Sequence, residues 1–400
     1  MMNYKDWDIE PNNLISFGEK GVRASGFVLS KEGQELRIQS QDSTYNSPID
    51  LSFNNFRIET ITEMLQSETL KVGGGINGNA TVSRFESNPV FVSDLTIDKF
   101  FFGKDTIGNV ALKVNNIKEN TYSADVRITE NGNDVHLIGD IIAPPQGDMQ
   151  IDATLNLNPM RMQTIQAFSL GNLRDAQGDL SGELKITGTT SAPRINGELT
   201  FHDAVINASM LNSNMRVDNQ KIYFNDQGIT FRQFNLVDSK NNVARLNGTI
   251  KTSTYTDFIF NLNLTTDNFE VMNSTRLDND LFFGKMYVTS NLRITGDLDK
   301  PSIDGNVKAN DNTDFNFIVP NEDPGVAQRE GVVKFVDKSD TARANVFAQL
   351  DSMTTVSSKL SGYDIALNLT TDPDAKFKVI LDEGTQDALN IQGVAEINTS

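Results

Sequence analysis

The chain has 400 residues, of which 38% are hydrophobic and 28 are glycine, a composition that allows a folded protein with a thin core. Its formal net charge of −18 argues against binding to nucleic acid or to an anionic bilayer surface, because both depend on clustered Lys and Arg. The absence of cysteine excludes disulfides, thiolate metal sites and cysteine nucleophiles.

Residues 1–7 lack the basic and then apolar regions of a signal peptide. The sequence also contains no run of about 18 apolar residues that could cross a bilayer. We therefore expect either a soluble protein or an interior piece of a longer one, in which any membrane anchor lies outside this chain.

Apolar residues recur at every second position from the start of the chain, which predicts short, half-buried β-strands joined by tight turns. Early examples are Ile15/Phe17, Phe27/Leu29, Leu36/Ile38 and Leu51/Phe53. The spacing becomes helical at Glu59–Gln66, which predicts one short amphipathic helix. Gly73-Gly74-Gly75 superficially resembles a phosphate-binding loop, but alternating residues follow it, so a bulge or tight turn is the better interpretation.

Further alternating strands follow, and a second helix is predicted among them. The strands include Ala124/Val126/Ile128, Val135/Leu137 and Ile151/Ala153/Leu155/Leu157. For the helix, Asn158 would be the N-cap, Pro159 the first helical residue, and Gly171 the stop. Both predicted helices would plug or brace the interior of the sheet.

The clearest repeat begins at Leu184. Leu184, Ile186, Gly188, Pro193, Ile195 and Gly197 recur at identical spacing as Leu292, Ile294, Gly296, Pro301, Ile303 and Gly305, and Leu199 and Phe201 extend the first copy. Since Pro fits the start of a strand near a turn, each copy predicts a strand, a turn and a strand. We interpret the six Gly and Pro positions as corners where a long sheet folds back.

A looser copy near residues 70–103 completes a set of repeat-like units, the others lying around 178–201 and 284–307. We expect residues 1–400 to form a single elongated domain. Contiguous aromatics at Phe100–Phe102 and Phe282–Phe283 predict packing at a bend of the sheet, with ligand contact as the alternative.

Strands of this kind have one apolar face and one polar face, and the apolar face must be covered. Roughly 25 to 30 strands are too many for a two-sheet sandwich or a closed barrel. The sequence therefore predicts an all-β, elongated solenoid, in which a long sheet curls along its length around an apolar groove. At about 4.8 Å per strand it would extend roughly 120 to 150 Å.

The sequence gives little evidence of a catalytic site. His136 and His202 are the only histidines, and both lie within alternating strands, where a structural role is the better interpretation. Asp297, Asp299 and Asp304 lack the spacing of an EF-hand and are interpreted as turn carboxylates. We expect no enzyme activity, catalytic residue, metal site or cofactor.

The repeat starting at Leu184, together with Asp94-Leu95-Thr96-Ile97 and Phe102-Gly103, resembles the bacterial AsmA-like proteins and, among them, the TamB (translocation and assembly module) family in a Bacteroidetes form. The resemblance extends from about Ile15 to Ile391. It implies a β-taco fold anchored in the inner membrane, crossing the periplasm and carrying phospholipid to the outer membrane. The missing anchor and the early end after residues 384–387 indicate an interior fragment.

The resulting hypothesis is a lipid conduit of the cell envelope. The predicted lining of its groove is Leu184, Ile186, Ile195, Leu199, Phe201, Leu292, Ile294 and Ile303. Two alternatives remain open: a packed structural or interaction solenoid, and an assembly factor whose strand edges pair with an outer-membrane β-barrel of the Omp85 class. The lipid, the transport direction and the energy source are not encoded in any recognisable motif.

Overall fold

The protein is built almost entirely of β-strands, which confirms the all-β prediction. The computed structural model describes residues 7–64, 71–85, 89–319, 364–382, 387–394 and 396–398. In the first part of the chain, the elements are β1 (Asp8–Ile9), β2 (Leu14–Gly18), β3 (Gly21–Ser25), β4 (Phe27–Lys31), β5 (Gln34–Ser40), β6 (Ile49–Arg57), α1 (Ile58–Met64), β7 (Val72–Ser83), β8 (Val90–Phe102), β9 (Asp105–Asn115), β10 (Thr121–Glu130), β11 (Asn133–Ile142), β12 (Gln150–Arg161) and α2 (Met162–Phe168).

The second part continues as strands only within the described residues. They are β13 (Gln177–Gly188), β14 (Pro193–Asn207), β15 (Asn214–Val217), β16 (Lys221–Asn225), β17 (Gly228–Val237), β18 (Val243–Lys251), β19 (Ile259–Ser274), β20 (Phe282–Asp297), β21 (Pro301–Ala309), β22 (Asp314–Ile318), β23 (Asp364–Thr371), β24 (Lys376–Asp382), β25 (Asp387–Gln392) and β26 (Glu396–Asn398).

One sheet contains 24 of these strands, while β2 and β3 form a separate hairpin. Neighbouring strands from β4 to β20 pair in antiparallel fashion, as hairpin connections require. In the described residues, parallel pairing occurs between β21 and β23 and between β22 and β24. The result is a long curled sheet, in agreement with the predicted architecture.

The sheet has two long edges with different connections. We call one the turn edge; it carries the connections at residues 116–120, 143–149, 189–192, 226–227, 252–258 and 298–300. We call the other the helix edge, because α1 and α2 lie there together with the turns at 103–104, 131–132 and 238–242. The longer strands run from one edge to the other, whereas β15 and β16 pair with different parts of β14 and each cover only part of the width.

A line of β-bulges crosses the strands on the side of the helix edge. In β6, β8, β12, β14, β17 and β19, three residue steps oppose two on the neighbouring strand, at Phe53/Phe56, Ile97/Phe100, Leu157/Met160, His202/Val205, Phe231/Phe234 and Thr266/Phe269. A bulge bends its strand and increases the local twist. We call this set the bulge line, and it explains how a continuous sheet curls along its length.

Side chains on neighbouring strands satisfy the backbone at these bulges. The N–H of Gln233, which has a φ of +49°, donates to Asn247 Oδ1 at 2.6 Å. The N–H of Asn55 donates in the same way to Asn77 Oδ1 at 2.7 Å, and that of Lys99 to Asn109 Oδ1 at 2.9 Å. These positions are exposed, so each hydrogen bond adds only a modest net stability, but each gives the N–H of the bulged strand a fixed partner on the neighbouring strand and so helps to hold the bend.

The core follows the bulge line. One cluster joins Met162 of α2 to buried side chains of β11 through β17: Val135, Leu157, Leu180, Leu184, Leu199, Phe201, Ala204, Val217 and Phe234. The Phe201 and Phe234 rings meet edge to face at 5.7 Å. Helix α2 therefore braces the closed side of the curled sheet, as the sequence predicted for a short helix.

The predicted start of that helix was wrong. Asn158 and Pro159 lie in β12, which continues through Met160 and Arg161 in register with Leu180 and Asp179. Pro159 occupies the bulge, where a missing backbone N–H leaves no ladder bond unmade. The helix begins at Met162 and has no side-chain cap. Helix α1 begins at Ile58, close to its predicted start, and the end predicted for it at Gln66 lies outside the described residues.

Candidate functional site

The candidate site is the apolar inner face of the curled sheet. Cross-strand register joins one residue from each successive strand into a continuous row, in which every member is apolar or glycine. This first row is Ile9, Leu29, Leu36, Phe53, Gly78, Leu95, Leu112, Val126, Leu137, Leu155, Leu184, Gly197, Phe224, Ile229, Ile250, Phe260 and Gly296.

A second row runs beside the first, two residues closer to the bulge line. Its members are Ile97, Val110, Ile128, Val135, Leu157, Gly182, Leu199, Ile222, Phe231, Gly248, Leu262, Ile294 and Ile303. Residues two apart on a strand share a face, so both rows belong to one apolar surface. The two copies of the sequence repeat therefore contribute to the same surface.

Burial along this surface falls towards the turn edge. In β11, Val135 beside the bulge line is 6% exposed, Leu137 is half-buried, and Ile141 near the turn edge is 37% exposed. In β10, Tyr122 at the turn edge is 38% exposed. The bulge line is therefore the closed, packed side of the groove, and the turn edge is its open side.

The structure places the predicted lining residues at different depths. Leu184, Leu199 and Phe201 are buried in the core cluster, and half-buried Ile195 packs against it. Ile186 pairs with Ile195, and Leu262 pairs with Ile294, which pairs in turn with Ile303. Ile186, Leu292, Ile294 and Ile303 are half-buried. All eight residues share the inner face.

The Gly and Pro positions of the repeat divide into two kinds. Gly188 ends β13 and Pro193 begins β14, so they flank a turn, and Gly296 and Pro301 do the same between β20 and β21. Gly197 and Gly305 lie inside strands and not at corners, opposite Leu184 and Leu292 respectively. They are needed for close backbone approach, since a Cβ on Gly197 would lie 2.1 Å from the Glu183 carbonyl oxygen.

The outer face is polar and solvated. Lys113 pairs with Asp94 at 3.0 Å and Lys221 with Glu198 at 2.6 Å, both across neighbouring strands and both largely exposed. Exposed pairs of this kind contribute only ~0–1 kcal/mol each. The outer face therefore supports solubility, while the inner face supplies the apolar surface.

The histidines lie on this polar side. His136 Nε2 is 2.9 Å from Asp125 Oδ1, and His202 Nε2 is 2.6 Å from Ser181 Oγ. Both residues are half-buried members of strands, and neither contact belongs to a recognisable catalytic arrangement. Asp297 accepts the N–H groups of Asp299 and Lys300, as a turn carboxylate does.

The contiguous aromatics pack within the protein. Phe102 meets Phe168 of α2 with ring centroids 5.2 Å apart, and Phe282 stacks on Phe315 at 6.3 Å.

The register of β7 shifts between Gly73 and Gly75, which confirms the predicted bulge in the Gly-rich segment.

A buried polar cluster beside the bulge line was missed at the level of sequence. Asp238, in the turn between β17 and β18, is 1% exposed. Burial raises the pKa of its carboxyl, but hydrogen bonds from the N–H groups of Glu270, Asn242 and Lys240 and from the Asn242 side chain outweigh this, so the pKa lies below its ordinary value. Buried Glu270 accepts the Tyr287 hydroxyl, and burial, followed by this contact, raises the Tyr287 pKa.

Sequence reasoning also missed the bulge line, although its signal is present. Phe53/Phe56 and Phe231/Phe234 are apolar residues three apart within strands of period two. Such an interruption marks one extra residue in a strand.

The continuous sheet and its apolar inner face define a repetitive, groove-forming β-protein. Residues 38–201 match the family model of the TamB N-terminal domain, and residues 232–398 match that of the TamB C-terminal domain. The chain belongs to the TamB family, a family of non-enzymatic envelope proteins that act in assembly and transport. No curated protein and no solved structure matches the sequence.

Membership places the protein in the cell envelope, among proteins that interact with outer-membrane partners. Neither helix of the described residues has the length and apolar character needed to cross a membrane.

Proposed function

We propose that this protein shields the acyl chains of phospholipids as they cross the periplasm between the inner and outer membranes. The observation that carries the proposal is the pair of continuous apolar rows on the inner face. Exposing lipid tails to water costs about 0.8 kcal/mol per methylene, so even partial cover of two tails removes ten or more kcal/mol. A continuous apolar surface provides that cover without covalent chemistry.

The gradient of burial supports an open groove. Buried Leu184 and Leu199 form its floor beside the bulge line, half-buried Leu292 lies as close to that line as Leu184 does, and half-buried Ile186 and Ile294 lie nearer the turn edge. Aliphatic walls contact acyl chains without selecting among them, and the open side leaves the headgroup in water. The lining proposed from the sequence, namely Leu184, Ile186, Ile195, Leu199, Phe201, Leu292, Ile294 and Ile303, fits this arrangement.

The test is to purify the chain from bacterial cells and identify bound phospholipid by mass spectrometry. A photo-crosslinking amino acid at Ile294, on the inner face, should capture lipid, whereas the same amino acid at Arg293, on the outer face, should not. A lipid-free protein, or equal capture from both positions, would contradict the proposal.

A partner of the outer-membrane β-barrel class is a second candidate. Among the described residues, β25 pairs with β24 alone, and Leu389 and Ile391 on β25 are 54% and 43% exposed. An unpaired apolar edge can receive a strand from a partner. Because the chain has no native cysteine, a single Asn390→Cys variant can be crosslinked to an Omp85-class barrel. The control is Asn261→Cys, in the middle of the sheet. If Asn390→Cys does not crosslink to the barrel, or crosslinks no more than the control does, β25 is not the docking edge.

We also propose that the protein is anchored in the inner membrane, so that its sheet would extend from that membrane across the periplasm.

A further inference from the structure

The hairpin of β2 and β3 is separate from the long sheet. Strand β3 attaches it to the rest of the protein, because the Val22 N–H donates to Asn46 Oδ1 and the Ala24 N–H to Ser40 Oγ, each at 2.9 Å. The Val22 carbonyl also accepts the Asn46 N–H at 2.9 Å. Strand β2 lies on the other side of β3, and in the part of the chain that the structure describes it pairs with β3 alone. Strand β2 is therefore a free edge.

The hydrogen bonds of β3 show which backbone groups of β2 point to that free edge. In an antiparallel pair, successive residues point their N–H and C=O groups alternately towards the neighbouring strand and away from it. Val22 and Ala24 bond away from β2, and they lie opposite Phe17 and Ile15. The N–H and C=O groups of Phe17 and Ile15 therefore point outward. They can bond to a further strand while every bond within the hairpin remains.

The side chains of β2 also favour pairing with a further strand. Phe17 is 75% exposed, Leu14 44% and Ile15 37%. The five residues of β2 include no charged residue and no proline, in a chain with a net charge of −18. Edge strands that avoid pairing carry charged side chains, proline or bulges. An uncharged, apolar edge of this kind is suited to receive a strand from a partner.

We propose that β2 pairs with β2 of a second copy of this chain, in antiparallel orientation, about a twofold axis at Ser16. In this register Ile15 of each copy lies opposite Phe17 of the other. An aromatic side chain opposite a β-branched one is a favourable cross-strand pair, and the twofold axis forms it twice. The outward N–H and C=O groups of both strands then bond to each other. This contact is independent of the proposed lipid function.

The outer residues of the strand fit the same register. Leu14 of each copy would lie opposite Gly18 of the other. The long sheet contains the same pairing, since Leu184 lies opposite Gly197. A large side chain beside a glycine avoids crowding between strands that are about 4.8 Å apart. The sequence of β2 is therefore complementary to itself.

The charges near β2 are compatible with a second copy. In antiparallel orientation, the hairpin tip of each copy, Glu19–Lys20, would lie beside residues 12–13 of the other, which are both asparagine. No like charges would therefore meet next to the paired strands. A strand of five residues buries less area than a stable interface requires, so we expect a weak dimer that depends on protein concentration.

The first test is a crosslink at the twofold axis, in a chain that has no native cysteine. The two copies of Ser16 would form a non-hydrogen-bonded pair, whose Cα atoms lie about 4.5 Å apart, within the range of a disulfide. Ser16→Cys should therefore give a covalent dimer after mild oxidation, detected on a non-reducing gel. Ser25→Cys is the matched control, because Ser25 is half-buried on the same face of the hairpin but lies on β3. It should remain monomeric.

The second test measures self-association by sedimentation velocity over a range of concentrations. Ile15→Pro removes one outward N–H and no bond within the hairpin, so it should weaken the dimer. Phe17→Lys should do the same by placing a charge in the paired region. Each substitution occurs twice in a twofold interface, so we expect the dissociation constant to rise by roughly tenfold or more. Leu277→Lys is the control, because Leu277 is an apolar residue of the helix edge that is 99% exposed, and its dissociation constant should not change.

Three results would overturn the proposal: a monomer at every concentration, self-association that neither Ile15→Pro nor Phe17→Lys weakens, or equal crosslinking of Ser16→Cys and Ser25→Cys. Assembly beyond the dimer would also overturn it, since β2 would then pair with a different strand of the second copy. If Ser16→Cys in cells forms a disulfide with another protein and no covalent dimer, the edge belongs to that partner and the proposal is wrong. A covalent dimer of Ser16→Cys, together with weaker association of both variants, would support it.

Discussion

Leu184 lies directly opposite Gly197 on the neighbouring strand, and Leu199 lies opposite Gly182 on the same two strands. Both glycines have a left-handed φ, +144° for Gly197 and +145° for Gly182. A Cβ on Gly197 would lie 3.1 Å from Leu184 Cδ2, and one on Gly182 would lie 3.0 Å from Leu199 Cδ2. Each leucine therefore covers the bare backbone of a glycine.

The same relationship recurs along the sheet. Gly78 lies between Phe53 and Leu95, and Gly248 lies between Phe231 and Leu262. Strands are only about 4.8 Å apart, so an unbroken row of large side chains would crowd the inner face. A glycine within the row gives its large neighbours room and keeps the face apolar.

Substitution of Gly197 should therefore destabilise the sheet locally. Gly197→Ala would place its Cβ 2.1 Å from the Glu183 carbonyl oxygen, at a φ that L-residues rarely adopt. We expect a loss of about 1–3 kcal/mol in local stability, measured by hydrogen exchange of β13 and β14. Local exchange is the suitable measurement because an elongated repetitive sheet need not unfold in one step.

Gly147→Ala is the matched control. Gly147 also has a positive φ, +94°, but a Cβ there would meet nothing within 4 Å. It should show only the conformational cost, about 1 kcal/mol, at the turn between β11 and β12. Equal losses of local stability from the two substitutions would mean that the close approach to the Glu183 carbonyl adds nothing to the cost of Gly197→Ala.

The bulge line leads to a second prediction. Asn247→Ala should remove the acceptor of the Gln233 N–H, while Asn247→Asp should retain it. We expect the alanine variant to lose about 0.5–1.5 kcal/mol of local stability and the aspartate variant to lose less. Faster hydrogen exchange should centre on Gln233 and the adjoining core residue Phe234. Equal exchange in both variants would contradict a role for this hydrogen bond.

Much of this fold could be predicted from period-two patterning alone. The alternation around Val135/Leu137 and Leu184/Ile186 fixes which residues share the inner face, and the recurrence at Leu292 shows that the surface is repeated. The bend is harder to predict, because Phe53 and Phe56 read equally well as the end of one strand and the start of another. Only the pairing partners Gly78 and Ile76 show that a single strand contains an extra residue.

The other differences also depend on tertiary pairing. Asn158-Pro159 has the local signature of a helix start, but the register of Met160 with Leu180 keeps the strand intact beyond it. Gly197 reads as a turn residue, although its actual role depends on Leu184, a partner set by the hairpin.

A charge on the inner face should block the groove without unfolding the protein. Ile294 is half-buried near the open side, so the fold should tolerate Ile294→Glu. An acyl chain packed against this position would remove the new carboxylate from water, which costs free energy and weakens lipid binding. We expect the amount of co-purified phospholipid to fall several-fold, as measured by mass spectrometry. Arg293→Glu, on the adjacent outward position, should retain lipid, and equal lipid in both variants would mean that Ile294 does not line the path.

Acid should weaken the protein at the turn that carries Asp238. Its Oδ1 accepts the N–H groups of Lys240 and Asn242, each at 2.8 Å, and its Oδ2 accepts the Glu270 N–H at 2.9 Å. Because the folded-state pKa is lowered below the unfolded value of about 3.9, this stabilisation is complete above that pH and is lost as pH falls through the folded pKa.

Asp238→Asn should therefore cost about 1–3 kcal/mol of local stability at pH 7 and should flatten the loss of stability below about pH 4. The measurement is hydrogen exchange of β17, β18 and β19 at pH 7 and pH 3, corrected for intrinsic exchange rates. Exposed Asp267, on the outer face of β19, supplies the control Asp267→Asn, which should leave both values close to those of the unsubstituted protein. An unchanged acid dependence in Asp238→Asn would mean that other carboxylates cause the loss of local stability at low pH, because a neutral amide at this position has no proton to gain.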